Sequence, residues 1–131
     1  MDGRTMIFLE HPPGWFEYTE RSAEIAQLLD TRCYTMEWLD AQIMNGDARV
    51  FASDDAVIVV AVKQYPAGAT ELHGLVAAGA LEAILALIDE STAWAAQVGV
   101  TFACIASRPG WGRVLKDRGF SLYQTELRKD L

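Results

Sequence analysis

The stretch from Ala80 to about Val98 carries one continuous helical pattern, set between two runs of strand character. Leu81, Ile84, Leu85, Ile88 and Ala95 fall on one side, and Glu82, Asp89 and Gln97 on the other. Gly99 supplies the stop. Ahead of the helix, Thr70-Glu71-Leu72-His73-Gly74-Leu75-Val76 reads as a strand, followed at once by Ala77-Ala78-Gly79. Behind it, Val100 to Ala106 is an apolar run of strand length. A strand, a long helix and a strand in that order imply a parallel pair joined by a right-handed crossover.

The remaining elements group around that unit. Ser107-Arg108-Pro109-Gly110-Trp111 opens a second helix, with Ser107 as N-cap and Pro109 near the first turn. That helix ends at Arg118-Gly119, and Phe120 to Leu127 alternates as a last strand. Toward the start, Thr5-Met6-Ile7-Phe8-Leu9 reads as a first strand, which His11-Pro12-Pro13-Gly14-Trp15-Phe16 cannot continue. A helix over Thr19 to Asp30 turns Ile25, Leu28 and Leu29 inward. Another starts at the N-cap Thr35, carries Met36, Leu39 and Ile43 on one face, and stops at Asn45-Gly46. Arg49 to Ser53 and Ala56 to Val62 form a hairpin around Ser53-Asp54-Asp55. Its run Val57-Ile58-Val59-Val60 is apolar on both faces, as in a central strand covered by helices on each side. These elements predict one α/β domain over residues 1–131, with a mixed, mostly antiparallel sheet of about six or seven strands and helices on both faces.

Composition narrows the function classes. With 51% hydrophobic residues the chain can bury a proper core. A formal net charge of −7 argues against a nucleic-acid surface, which would show a basic stripe. Basic residues do gather late, at Arg108, Arg113, Lys116, Arg118, Arg128 and Lys129. The two cysteines, Cys33 in a loop and Cys104 inside an apolar strand, suggest neither a disulfide framework nor a metal site. Cys104 reads as a small buried hydrophobe. No signal peptide or membrane-spanning run appears, so a cytoplasmic setting is expected. There is no Ser-His-Asp arrangement, no phosphate loop of the Walker type and no His/Cys cluster for a metal. Period two places Glu71 and His73 on one face of their strand.

From Thr70 onward the pattern resembles the C-terminal half of the GNAT (GCN5-related N-acetyltransferase) superfamily. The ending is its more specific part: a strand, a short helix and a Gly-aromatic pair, here Gly119-Phe120, that starts the final strand. The resemblance implies acetyl-CoA as cofactor, bound where the strand before the long helix splays from its neighbour. The pyrophosphate would meet backbone amides of a Gln/Arg-x-x-Gly-x-Gly/Ala loop at the helix start. Val76, Ala77, Ala78, Gly79, Ala80 and Leu81 occupy those positions, and among them Gly79 fits the pattern. Such enzymes frequently take a base from the strand that here holds Glu71 and His73. Their thiolate-protonating Tyr falls at Leu115, which cannot donate, so Tyr123 in the last strand becomes the candidate acid. The Asn common near the start of that helix falls at Arg108.

Two readings follow from the resemblance. One is an acetyl-CoA-dependent N-acyltransferase with a degenerate cofactor loop, whose partners are a CoA thioester and an amine acceptor. The other is a catalytically inactive GNAT-like binding or structural protein, of the phage- or prophage-encoded kind.

Overall fold

A computed structural model describes residues 11–107 and 110–131. The strand expected at residues 5–9 lies outside them, as do Arg108 and Pro109.

Two short helices, α1 (Trp15–Glu20) and α2 (Ser22–Leu28), occupy the region where periodicity predicts one. Gly14, at φ 80°, lets α1 begin inside the aromatic connection, and Arg21 leaves helical geometry between the two. Tyr18 and Ile25 are fully buried, whereas Leu28, expected inward, is half exposed at the C-terminal end of α2. α3 (Met36–Met44) starts where the sequence places it, because the Thr35 hydroxyl accepts from the Trp38 amide at 3.1 Å. It buries Leu39 and Ile43.

The described strands form one sheet in the order β1 (Ala48–Ala52), β2 (Ala56–Gln64), β3 (Thr70–Gly79) and β4 (Phe102–Cys104). β1, β2 and β3 pair antiparallel, and β3 pairs parallel with β4 across the helix α4 (Leu81–Gln97). The expected crossover is therefore present. A short helix, α5 (Trp111–Leu115), follows, and a single 3₁₀ turn (Lys116–Arg118) leads into Gly119 at φ 85°. The helix begins at Trp111 with Gly110 as its cap, not at Ser107.

β2 divides its side chains between two cores. Ile58 and Val60 pack with Leu72, Leu115 and the Ile84, Leu85 and Ile88 stripe of α4. Val57 and Val59 pack with Ala78 and with Tyr18, Ile25, Leu39 and Ile43 of the N-terminal helices. Helices thus cover both faces, as the apolar run at 57–60 implied.

The described residues hold four strands, not six or seven. β4 is three residues long where a strand over Val100 to Ala106 was predicted, and residues 120–127 form no strand at all. A strand exists only through its partner, and β4 offers too short an edge to pair with an eight-residue segment. Phe120 packs on the core and donates its amide to Leu115 O at 3.4 Å, but Leu122, Tyr123 and Leu127 stand 86–91% exposed. Two exposed ion pairs, Arg128–Asp30 at 2.9 Å and Arg32–Asp130 at 3.0 Å, tie this tail to the turn after α2.

Leu85 is 4% exposed at the centre of the α4 stripe. Leu85→Ala is expected to cost about 2–5 kcal/mol through lost burial and a residual cavity. Chemical denaturation measures it, and a loss well under 1 kcal/mol would contradict the packing of α4 on β2.

Candidate functional site

β3 and β4 run together for only three residue pairs, Glu71 with Phe102, Leu72 with Ala103 and His73 with Cys104. A reciprocal clasp closes one end of this short ladder. The Thr70 amide donates to the Thr101 hydroxyl at 3.0 Å, and the Thr101 amide reaches Thr70 O and Oγ1, each at 3.1 Å. Beyond His73 the strands part, and Gly74 to Gly79 of β3 have no strand partner on that side among the described residues.

A β-bulge accounts for the parting. Val59 pairs with Val76 and Val60 with Gly74, leaving Leu75 as an extra residue on β3. A bulge bends its strand and sharpens the local twist. Here Leu75 and Val76 both turn toward the core of the N-terminal helices, and alternation resumes beyond them. Gly74 faces Ile105, whose Cγ1 would stand 3.8 Å from an added Cβ. The result is a wedge with its vertex at His73 and Cys104 and its open end at the start of α4.

At the vertex lies a cluster of polar side chains around one buried carboxylate. Glu71, 5% exposed, accepts from the Tyr65 hydroxyl on Oε1 at 2.5 Å, and its Oε2 lies 2.9 Å from His73 Nδ1. The Cys104 thiol lies alongside the same carboxylate. Burial pushes the Glu71 carboxyl up, but the contacts from Tyr65, Cys104 and His73 together outweigh it and hold the group below its ordinary value. Its partners move the other way. The hydrogen bond to Glu71 raises the Tyr65 phenol, and burial followed by the Glu71 contact raises the Cys104 thiol. Cys104 is thus a neutral thiol in a polar contact, where the sequence suggested a buried hydrophobe; a raised thiol is poorly suited to nucleophilic attack.

Glu71 and His73 are brought together on one face, as strand periodicity requires. Tyr65 and Cys104 complete their surroundings and were not singled out as site residues. Tyr65 sits in the turn after β2, and the hairpin register that pairs Lys63 with Glu71 brings it to that carboxylate. Cys104 had a usable signal, since parallel pairing of the two predicted strands places it beside one of them. Tyr123 is 86% exposed on the strandless tail and is not hydrogen-bonded to the cluster. Leu115 is buried in the core at 4% exposure, so that position does not face the wedge.

The six residues matched to a phosphate loop are largely a strand. Val76, Ala77, Ala78 and Gly79 belong to β3 and pair with Val59, Ile58, Val57 and Ala56. Gly79 is needed for a contact within the protein. At φ 122°, a Cβ there would stand 2.6 Å from the Ala56 Cα and closer still to Asp55 O. The Ala80 amide is also engaged, donating to Asp55 O at 3.0 Å. α4 has no side-chain cap, and its first internal bond runs from Ile84 to Ala80 O, leaving the Leu81, Glu82 and Ala83 amides without intrahelical partners. Glu82 places a carboxylate in that first turn. Among the described residues no group of three or more His, Cys, Asp or Glu is placed to hold a metal, and no helix is long and apolar enough to cross a membrane.

Gly79→Ala is expected to destabilise the fold by about 1–3 kcal/mol, from the disfavoured backbone conformation and the crowding against β2. Thermal or chemical denaturation reads this without any ligand, and an unchanged midpoint would contradict the close approach.

The Glu71 shift also predicts a pH dependence. A carboxyl held below its unfolded value of about 4.3 contributes stability above that pH, and the contribution is lost as pH falls through the folded value. Urea denaturation should therefore show a steeper loss between about pH 5 and pH 3 for the wild type than for Glu71→Gln. Asp30, held low by Arg128, remains in both proteins, so the difference isolates Glu71. Equal slopes would mean that Glu71 is not held ionised by its donors.

No protein-family model matches this sequence, and no curated protein matches it. Solved structures do. A ribosomal-protein-alanine N-acetyltransferase from Brucella melitensis biovar Abortus superposes with a TM-score of 0.62 at 13% identity, covering 92% of this chain and 96% of that one. A GCN5-related N-acetyltransferase from Ralstonia eutropha gives 0.56 at 20% identity, over 72% of each chain. A predicted acetyltransferase from Clostridium acetobutylicum, with acetyl-CoA, gives 0.57 at 11% identity, over 72% of this chain and 71% of that one.

Proposed function

We propose that this chain, which has the fold of the GCN5-related N-acetyltransferases, is an acetyl-CoA-dependent N-acyltransferase working in the wedge between β3 and β4. The observation that carries the reading is the edge of β3 from Gly74 to Gly79, without a strand partner among the described residues, which runs from the Glu71–His73 pair to the start of α4. Alternate backbone groups of a strand point to opposite edges, so about half of those along this stretch face the opening. These groups, with the Leu81, Glu82 and Ala83 amides, are the donors and acceptors that would hold an extended, amide-containing thioester. Acetyl-CoA supplies the activated acyl group when bound.

The chain's own contribution is positioning and proton removal. An ammonium acceptor must lose a proton before it attacks, and the base lies at the vertex, where Glu71 and His73 meet. Leu115 cannot supply the proton that a Tyr at that position would give, and Tyr123 stands 86% exposed on the tail. A thiol leaves reasonably well as thiolate near neutral pH, so the lack of that Tyr slows the reaction without forbidding it. N-terminal helices on the same face as Glu71 and His73 frame the acceptor side.

A second reading, an inactive GNAT-like binding or structural protein, draws support from the acyl-donor end. Glu82 sits where a pyrophosphate would arrive, and the Ala80 amide is already engaged.

Calorimetric titration of acetyl-CoA and thiol release with a panel of amines decide between them. The acyltransferase reading expects binding and slow turnover. Absence of binding by wild type and variants leaves the inactive reading. Glu82→Gln removes a like charge from the pyrophosphate end and should tighten CoA binding up to about fivefold at low salt, since two unit charges 4 Å apart in water interact by about 1 kcal/mol. An unchanged or weaker affinity would place the phosphates away from α4.

A further inference from the structure

We infer that Tyr65 and Glu71 are positioning residues for His73, and that His73 Nε2 alone is the base of this site. The inference rests on the acyltransferase reading for the word base, and on geometry for the arrangement. Both Glu71 oxygens are occupied, Oε1 by the Tyr65 hydroxyl at 2.5 Å and Oε2 by His73 at 2.9 Å. At 5% exposure Glu71 also has little surface left for an acceptor. It is therefore a poor candidate to take a proton from an incoming amine. His73 is the more accessible of the two, with a fifth of its side chain exposed against 6% for Glu71.

The direction of each hydrogen bond follows from the charge on Glu71. An ionised carboxylate only accepts, so Tyr65 O–H and His73 Nδ1–H are both donors. A neutral His73 then carries its proton on Nδ1 and presents the Nε2 lone pair outward. Free imidazole side chains favour the opposite tautomer, so this one is imposed by the carboxylate. When Nε2 takes a proton from the acceptor, the imidazolium that forms has its Nδ1 2.9 Å from the buried Glu71 carboxylate. Tyr65 in turn fixes the rotation of Glu71. With Oε1 held by the phenol, Oε2 is aimed along the strand at the residue two positions on. The connection after β2 thereby sets the protonation geometry of a residue on β3.

Ring-nitrogen NMR on isotopically labelled protein tests the arrangement without substrate. The chain has two histidines, His11 and His73, so His73→Gln assigns the signals. In neutral wild-type protein His73 is expected as the Nδ1–H tautomer. Tyr65→Phe, which removes one hydroxyl, should admit the Nε2–H tautomer, and Glu71→Gln should make it predominant. A His73 signal that is Nε2–H in wild type, or unchanged in both variants, overturns the arrangement. Kinetics test the role. His73→Gln should lower kcat by about 10²–10⁴-fold, while Glu71→Gln and Tyr65→Phe lower it by about 10–100-fold with KM for acetyl-CoA little changed. Glu71→Asp, which keeps the charge, should recover part of the loss. Activity that survives His73→Gln but not Glu71→Gln makes Glu71 the base and overturns the inference. Absence of thiol release from wild type removes the acyltransferase reading and His73's role as base together, while the tautomer result still decides the geometry.

Discussion

Three residue pairs of parallel ladder, held at one end by the Thr70–Thr101 clasp, determine what the middle of this molecule is. A strand with a free edge inside a sheet leaves backbone groups that must find partners in water, side chains or a ligand. The wedge can open only because β3 is held firmly on its other side, where it pairs with β2 from Thr70 to Gly79. It opens in one direction because Leu75 bulges and bends the strand. α4 fixes the remaining freedom. Gly99, at φ 85°, ends the crossover, and the Val100 amide donates to Ala95 O at 2.9 Å, so β4 can enter the sheet only beside Thr70.

The same vertex explains why a carboxylate survives in the sheet. Burying an ionised group without partners costs more than a fold of this size can spare. Glu71 is stabilised by donors from three places: the turn after β2, its own strand, and β4. Each donor is replaceable as a packing residue, but none can be lost without leaving charge or lone pairs unsatisfied. The cluster therefore ties the β2–β3 turn, β3 and β4 to one electrostatic requirement.

Elements governed by local periodicity were legible in the sequence. The apolar stripe of α4, the Thr35 cap, the two-faced run at Val57–Val60, and the shared face of Glu71 and His73 each depend on residues a few positions apart. What depends on distant neighbours was not. Gly79 reads as a ligand-facing glycine, yet its space is taken by Asp55 and Ala56 across the hairpin. Leu75 carries no mark of a bulge, because the extra residue exists only relative to β2. Residues 120–127 alternate like a strand, but alternation cannot supply an edge of sufficient length to pair with. Leu115 gave no sign that it faces inward, since five helical residues are too few to define a stripe.

The start of α4 is a poor seat for the phosphates of the proposed acyl donor. The N-terminus of α4 carries about half a positive elementary charge from its peptide dipoles, and the Glu82 carboxylate in its first turn brings a full negative one. The exposed carboxylate opposes the attraction of that end for a pyrophosphate, and the engaged Ala80 amide removes one donor more. On the acyltransferase reading, affinity then rests on the uncharged arm of the donor along the open edge of β3. Backbone hydrogen bonds of that kind are nearly insensitive to salt, whereas phosphate contacts at an exposed helix end are screened within about 10 Å at 0.1 M ionic strength. On that reading the free edge of β3, which begins beside His73, carries more of the donor's affinity than the start of α4 does.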